Sequence, residues 1–119
     1  MGLINPRHTI QAAVYSWEGL VHGLKNEKAL VHIILILVVL VGLLCWFQTL
    51  PFMLMVLGWC FLLSVELINT AIERICDLVS PEHNLLVKQA KDLGAAASAV
   101  VEVANVSFWF WLAITHFIL

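Results

Sequence analysis

Residues 29 to 65 contain no Asp, Glu, Lys or Arg. A helix carrying that run is apolar on every face, and a lipid bilayer is the solvent that accepts it. As one helix it would be about 55 Å long at 1.5 Å per residue. A bilayer core is about 30 Å thick, so the run must fold back on itself. The break lies at Gln48-Thr49-Leu50-Pro51, where proline removes a backbone donor and biases Leu50 away from the helix. Two spans follow, about 29–47 and 52–72, joined by a very short loop. The second helix is expected to run past the membrane to about Val79. Composition agrees: 12% of residues are charged and 62% are hydrophobic, where soluble domains carry about a quarter charged residues.

A polar stretch, SPEHNLLVKQAK at 80–91, precedes a third apolar segment, about 93–118, whose one charge is Glu102. That segment opens with GAAASA at 94–99, and such small side chains let membrane helices approach closely. Trp109, Trp111 and His116 suit an interfacial belt. Ahead of the first span, Ile10, Ala13, Val14, Trp17, Leu20, Val21 and Leu24 recur at helical spacing. They predict an amphipathic helix over about 7–26 lying on the membrane surface; the alternative is a soluble-type helix packed on the end of the bundle. The expected fold is all-α and integral to the membrane, one domain over 1–119 with three spans and a surface helix.

The six Lys and Arg residues all precede the first span or lie between the second and third. The positive-inside rule therefore places the N-terminus and residues 74–91 in the cytoplasm and the C-terminus outside. No basic patch interleaved with aromatics suggests a nucleic-acid partner. Cys45, Cys60 and Cys76 read as ordinary buried cysteines rather than a disulfide framework. The first residues, MGLINPRHTIQ, have no apolar core of the kind a cleavable signal peptide needs.

The second span closes on VELINTAIERICDLV, residues 65–79. At about 100° per residue, Glu73 and Asp77 fall within about 20° of Glu66, and Asn69 about 60° away. Glu66 is about 21 Å along the helix from Phe52, still within apolar depth, whereas Glu73 is at the boundary and Asp77 beyond it. A carboxylate at membrane depth is a functional-site candidate by default, against the alternative of an interhelical pair, for instance with Lys91. Such a gradient of depth joins a lipid-borne group to a water-borne one. Glu66 is then a candidate general base for a hydroxyl. Glu73 is a candidate ligand for Mg²⁺, a hard cation that takes carboxylate and phosphate oxygens. Glu27, Lys91 and Asp92 are expected at the same level, with Lys91 available to neutralise phosphate charge.

These residues carry a family resemblance. ELINTAIE at 66–73 followed by Asp77, AKDLG at 90–94, AAVYSWEGL at 12–20, Asn26-Glu27 and Cys45-Trp46 together resemble the small prokaryotic diacylglycerol kinase family, which also contains undecaprenol kinases. The resemblance covers essentially the whole chain. It implies a homotrimer of three-span subunits in the bacterial inner (cytoplasmic) membrane, with sites shared between subunits. It further implies transfer of the γ-phosphate of MgATP to a lipid hydroxyl, with diacylglycerol favoured over a polyprenol. Carried over by motif, Glu66 is the catalytic base, and Glu27 and Glu73 are the Mg²⁺ and ATP ligands. Tyr15, Glu82, Lys91 and Asp92 are further ATP contacts. Asn69 and Asp77 support the stripe, and His8 and Trp46 are candidate lipid-substrate contacts. No GxxxxGK[ST] occurs, so the phosphates would be held by metal and side chains rather than by a P-loop. That is chemically sufficient for phosphoryl transfer.

The sequence departs from the family pattern at His8, Gln11, Glu18 and Val21, where basic residues are expected on the surface helix. It departs again at Glu102, where an apolar residue is expected. Glu102 reads as internal to the bundle, hydrogen-bonded to Asn105 or a neighbouring helix. Two other classes compete with the kinase. Small proton-coupled exporters need four spans and an acid within the first. A non-enzymatic membrane subunit would use the acids only as structural pairs.

Overall fold

The computed structural model describes residues 5–80, 82 and 84–117. Pro81, at the head of the polar stretch, and residue 118, the expected end of the third span, lie outside them. Four helices follow in order: α1 (Pro6–Asn26), α2 (Lys28–Phe47), α3 (Leu50–Val79) and α4 (Leu85–Phe117). There is no strand among the described residues. Three of the helices, α2, α3 and α4, are long and apolar enough to cross a membrane.

Local sequence accounts for each boundary. Asn5 caps α1, its side-chain oxygen accepting from the Arg7 amide at 3.1 Å, with Pro6 opening the helix. Glu27 alone, at φ −123° and ψ 111°, separates α1 from α2. The fold-back falls at the anticipated place, but by a different device. Gln48 closes α2 in the left-handed region at φ 49°, its amide donating to the Leu44 carbonyl at 2.8 Å. Thr49 is extended and α3 starts at Leu50, with Pro51 in its first turn, where the missing amide donor would have no intrahelical partner in any case. α3 runs 30 residues to Val79 as expected, about 45 Å. α4 begins at Leu85, several residues before the apolar segment. Asn84 caps it there, accepting from the amides of Leu86 (2.9 Å) and Val87 (3.4 Å). The polar stretch is therefore mostly helix, because the cap and not the hydropathy decides where a helix starts.

Short connections make α2, α3 and α4 an up-down-up bundle. Its polar end carries Glu27, Ser80, Glu82 and Asn84; its apolar end carries Gln48 and the last turns of α4. The core is thin: Ile33, Leu40, Trp59 and Leu62, with Ile36, Met55, Leu63, Val101 and Trp109 packed against them. Leu35, Val38, Phe61, Val100 and Phe110 are exposed along the same helices. Such a surface suits lipid. The first half of the α1 stripe is likewise without protein cover, with Ile10 at 63% and Trp17 at 67% exposure, whereas Leu20, Val21 and Leu24 are half-buried. α1 touches α2 and α3 chiefly near Gly23, where a Cβ would run into the Leu30 side chain.

Two reciprocal contacts fix the register of α3 against α4. A Cβ on Gly94 would collide with the Asn69 side-chain oxygen, and a Cβ on Gly58 with that of Asn105. Asn105 also donates to the Gly58 carbonyl at 3.0 Å. Gly94 and the buried Ser98 belong to the small-residue run, which thus does what its composition anticipates. Glu102 does not follow expectation. It is exposed, and the amide of Asn105 is spent on α3 instead.

Candidate functional site

The acidic stripe of α3 lies between two packed faces. On one side Asn69, Ile72 and Cys76 face α4; Asn69 and Cys76 are buried. On the other side Leu67, Thr70, Ala71 and Arg74 line a groove of about 440 Å³ shared with Ser16, His22, Gly23 and Leu30. Glu66 and Glu73, between them, are half-buried, and Asp77 is exposed. The helix period that predicted the stripe also predicts these flanks.

Each carboxylate has a different neighbourhood. Glu66 makes no hydrogen bond or ion pair among the described residues, so the alternative pairing with Lys91 does not form. Lys91 instead donates to Asp77 Oδ1 at 2.5 Å, and this bond raises the lysine's pKa above its ordinary value. An ammonium in that state stays charged at neutral pH and is available to phosphate. Glu73 Oε1 is 3.5 Å from the Asn69 amide nitrogen, which donates to it from the buried side of the stripe. Glu27 accepts from Arg74 Nη2 at 3.3 Å.

The structure gathers some of the anticipated residues and not others. Asp77, Glu82, Lys91 and Asp92 line one open cleft of about 220 Å³ with Ser80, Asn84 and Lys88. Within it Lys88 pairs with Asp92 at 2.7 Å. Glu27 and Glu73 are the candidate metal ligands, yet Glu27 is engaged from the α1 side and Glu73 from the α4 side. No group of three His, Cys, Asp or Glu side chains converges among the described residues. Tyr15, 67% exposed midway along α1, has no side-chain partner among the described residues, and His8 is exposed in the first turn of that helix. Trp46 is 83% exposed near the end of α2 remote from Glu27, at the apolar end of the bundle. Sequence reasoning passed over Arg74 and His22, which meet at 3.3 Å (Nη1 to Nε2). The signal was there: Arg74 is about 80° around α3 from Glu66, beside Leu67 and Thr70 on the α1 face.

Comparison with known proteins agrees with the geometry. A diacylglycerol kinase of Escherichia coli (strain K12) is 32% identical over 110 residues, covering 91% of this chain and 90% of that enzyme. A diacylglycerol kinase of Pseudomonas aeruginosa is 34% identical over 112 residues, covering 87% and 85%. An undecaprenol kinase of Bacillus subtilis (strain 168) is 48% identical over 42 residues, covering 35% of this chain and 34% of that one. The family described as prokaryotic diacylglycerol kinase matches residues 14–113, a stretch that holds α2, α3 and nearly all of α4. With its acidic stripe at the polar end of three apolar helices, the chain belongs to the prokaryotic diacylglycerol kinase family.

Proposed function

We propose that the chain transfers the γ-phosphate of ATP directly to the hydroxyl of a membrane lipid, with 1,2-diacylglycerol as acceptor and phosphatidic acid as product. The observation that carries this reading is Glu66: a half-buried carboxylate without a partner among the described residues, inside an apolar helix and on the same stripe as the acids nearer the polar end. Glu66 takes the proton of the lipid hydroxyl as that oxygen attacks the phosphorus. Lys91 neutralises phosphate charge, and Tyr15, Glu82 and Asp92 contact the nucleotide. His8 and Trp46 belong to the lipid side, and Asn69 and Asp77 hold the stripe.

The donor set fits a magnesium ion. Glu27 has one carboxylate oxygen on Arg74, and Glu73 has one only loosely held by Asn69. Mg²⁺ in kinase sites takes one or two carboxylates and fills its remaining positions with phosphate oxygens and water. When bound, it neutralises charge on the transferring phosphoryl group. That Glu27 and Glu73 are drawn to opposite flanks of α3 supports a homotrimer in which neighbouring subunits complete each site. The bacterial relatives and the distribution of basic residues support a place in the bacterial inner membrane, with the N-terminus cytoplasmic and the C-terminus periplasmic. The match to an undecaprenol kinase favours one second reading, a polyprenol acceptor at the same site.

The test is label transfer from γ-labelled ATP in mixed micelles, with dioleoylglycerol and undecaprenol in parallel, with and without Mg²⁺, beside Glu66→Gln. Label on dioleoylglycerol that needs Mg²⁺ and Glu66 is the expected result. Label confined to undecaprenol moves the assignment to the second reading. Near-normal turnover by Glu66→Gln removes the general-base role.

A further inference from the structure

Arg74 follows Glu73 in α3 but is turned about 100° from it, onto the α1 side of the stripe. There it joins three elements. Nη2 donates to Glu27 Oε1 at 3.3 Å, and Nη1 lies 3.3 Å from His22 Nε2 on α1. Glu27 is the one non-helical residue between α1 and α2, and its side chain caps neither helix. Its partner among the described residues is Arg74.

As a device for stability this pair is weak. The arginine side chain is 50% exposed and the glutamate 32%, and an ion pair in that setting contributes about 0–1 kcal/mol. The attachment of α1 has a separate cause in the close packing of Gly23 on Leu30. What the pair does is fix the direction of a carboxylate on an otherwise unconstrained link. A carboxylate has two oxygens and a guanidinium five donors. Among the described residues, one bond between them leaves the second oxygen of Glu27 without a partner and most of the guanidinium donors uncommitted. The charges are also matched by flank: Lys91 answers Asp77 on the α4 side, and Arg74 answers Glu27 on the α1 side.

We propose, resting on the reading above, that Arg74 is a positioning residue of the nucleotide–magnesium site: it holds Glu27 by one carboxylate oxygen so that the other serves the metal. Partners of ligating carboxylates typically alter metal affinity about 10–100-fold when removed. Arg74→Ala is therefore expected to weaken Mg²⁺-dependent nucleotide binding about tenfold. Binding is read without turnover, with a fluorescent ATP analogue and full-length protein in micelles, in the Glu66→Gln background. In the active protein the KM for MgATP rises with Arg74→Ala while that for the lipid stays constant. Arg74→Lys restores part of the loss, because it keeps the charge but not the fork geometry. In a Glu27→Gln background Arg74→Ala adds nothing further.

A structural role would instead lower thermal stability and raise both KM values together. Additive losses in the Glu27→Gln background, or unchanged binding in both Arg74 variants, overturn the proposal. If Arg74→Ala fails to fold, the Arg74→Lys series decides alone. Label transfer that survives in the wild type while Arg74→Ala binds normally sinks this inference and spares the kinase reading. A wild type that neither binds MgATP nor transfers label overturns both.

Discussion

Two contacts between α3 and α4 look alike and do different things. At the apolar end Asn105 meets Gly58 and donates to its carbonyl at 3.0 Å. At the polar end Asn69 meets Gly94, but its side-chain oxygen is buried with no donor among the described residues and its amide reaches Glu73 at 3.5 Å. The same residue pair is thus a stitch in one place and a support in the other. A buried amide oxygen without a partner is a cost. The fold bears it beside the acids, and at the other end it bears the buried indole N–H groups of Trp59 and Trp109, whose rings pack at 5.6 Å between centroids and find no acceptor among the described residues. Of the two asparagines, the one beside the acids therefore has the looser hydrogen bond.

The comparison is broken most severely at the deepest acid of the stripe. Glu66→Gln is expected to lower phosphate transfer by about 10²–10⁴-fold, the usual worth of a general base, with helical content and oligomer size unchanged. Label transfer and circular dichroism on one preparation check it. Next come the two asparagines. Asn69→Ala is expected to reduce activity about 10–100-fold through loss of the Glu73 support. Asn105→Ala is expected to leave specific activity alone and to cost about 0.6 kcal/mol, a typical worth for a hydrogen bond between membrane helices. Equal activity losses in the two variants would erase the distinction.

The glycines sharpen it. Alanine at Gly94 or Gly58 gains up to about 1 kcal/mol in helix propensity but overpacks a closed contact at about 1–3 kcal/mol. Both variants should unfold earlier on denaturant titration in detergent, and only Gly94→Ala should also lose activity per folded protein. The smallest effect lies outside both contacts. Gln48 adopts φ 49° as a side-chain-bearing residue, so Gln48→Gly should raise stability by up to about 1 kcal/mol with no change in transfer.

Much of this architecture was legible before any coordinates. The spans over α2, α3 and α4 follow from apolar runs, since a membrane helix satisfies its own backbone and needs no partner to be recognised. The stripe of Glu66, Glu73 and Asp77 follows from the helix period alone. The early start of α4 was missed because KQAK reads as polar, while Asn84 caps the helix regardless of what faces lipid. Glu102 was expected inside the bundle and is exposed, because hydropathy reports depth and not direction.

By itself, then, the sequence determined the apolar spans and their number, the spacing of the acids along α3 and the family motif. All of these are properties of single helices or of short segments. Only the tertiary structure decided which face of α3 meets α4, that Asn69 and Asn105 seat on Gly94 and Gly58, and that Lys91 goes to Asp77 rather than to Glu66. The Arg74–Glu27 pair joins residues 47 apart in the chain, and no local pattern encodes it. Such contacts depend on the register between helices, which is set by the few small residues where two backbones come close.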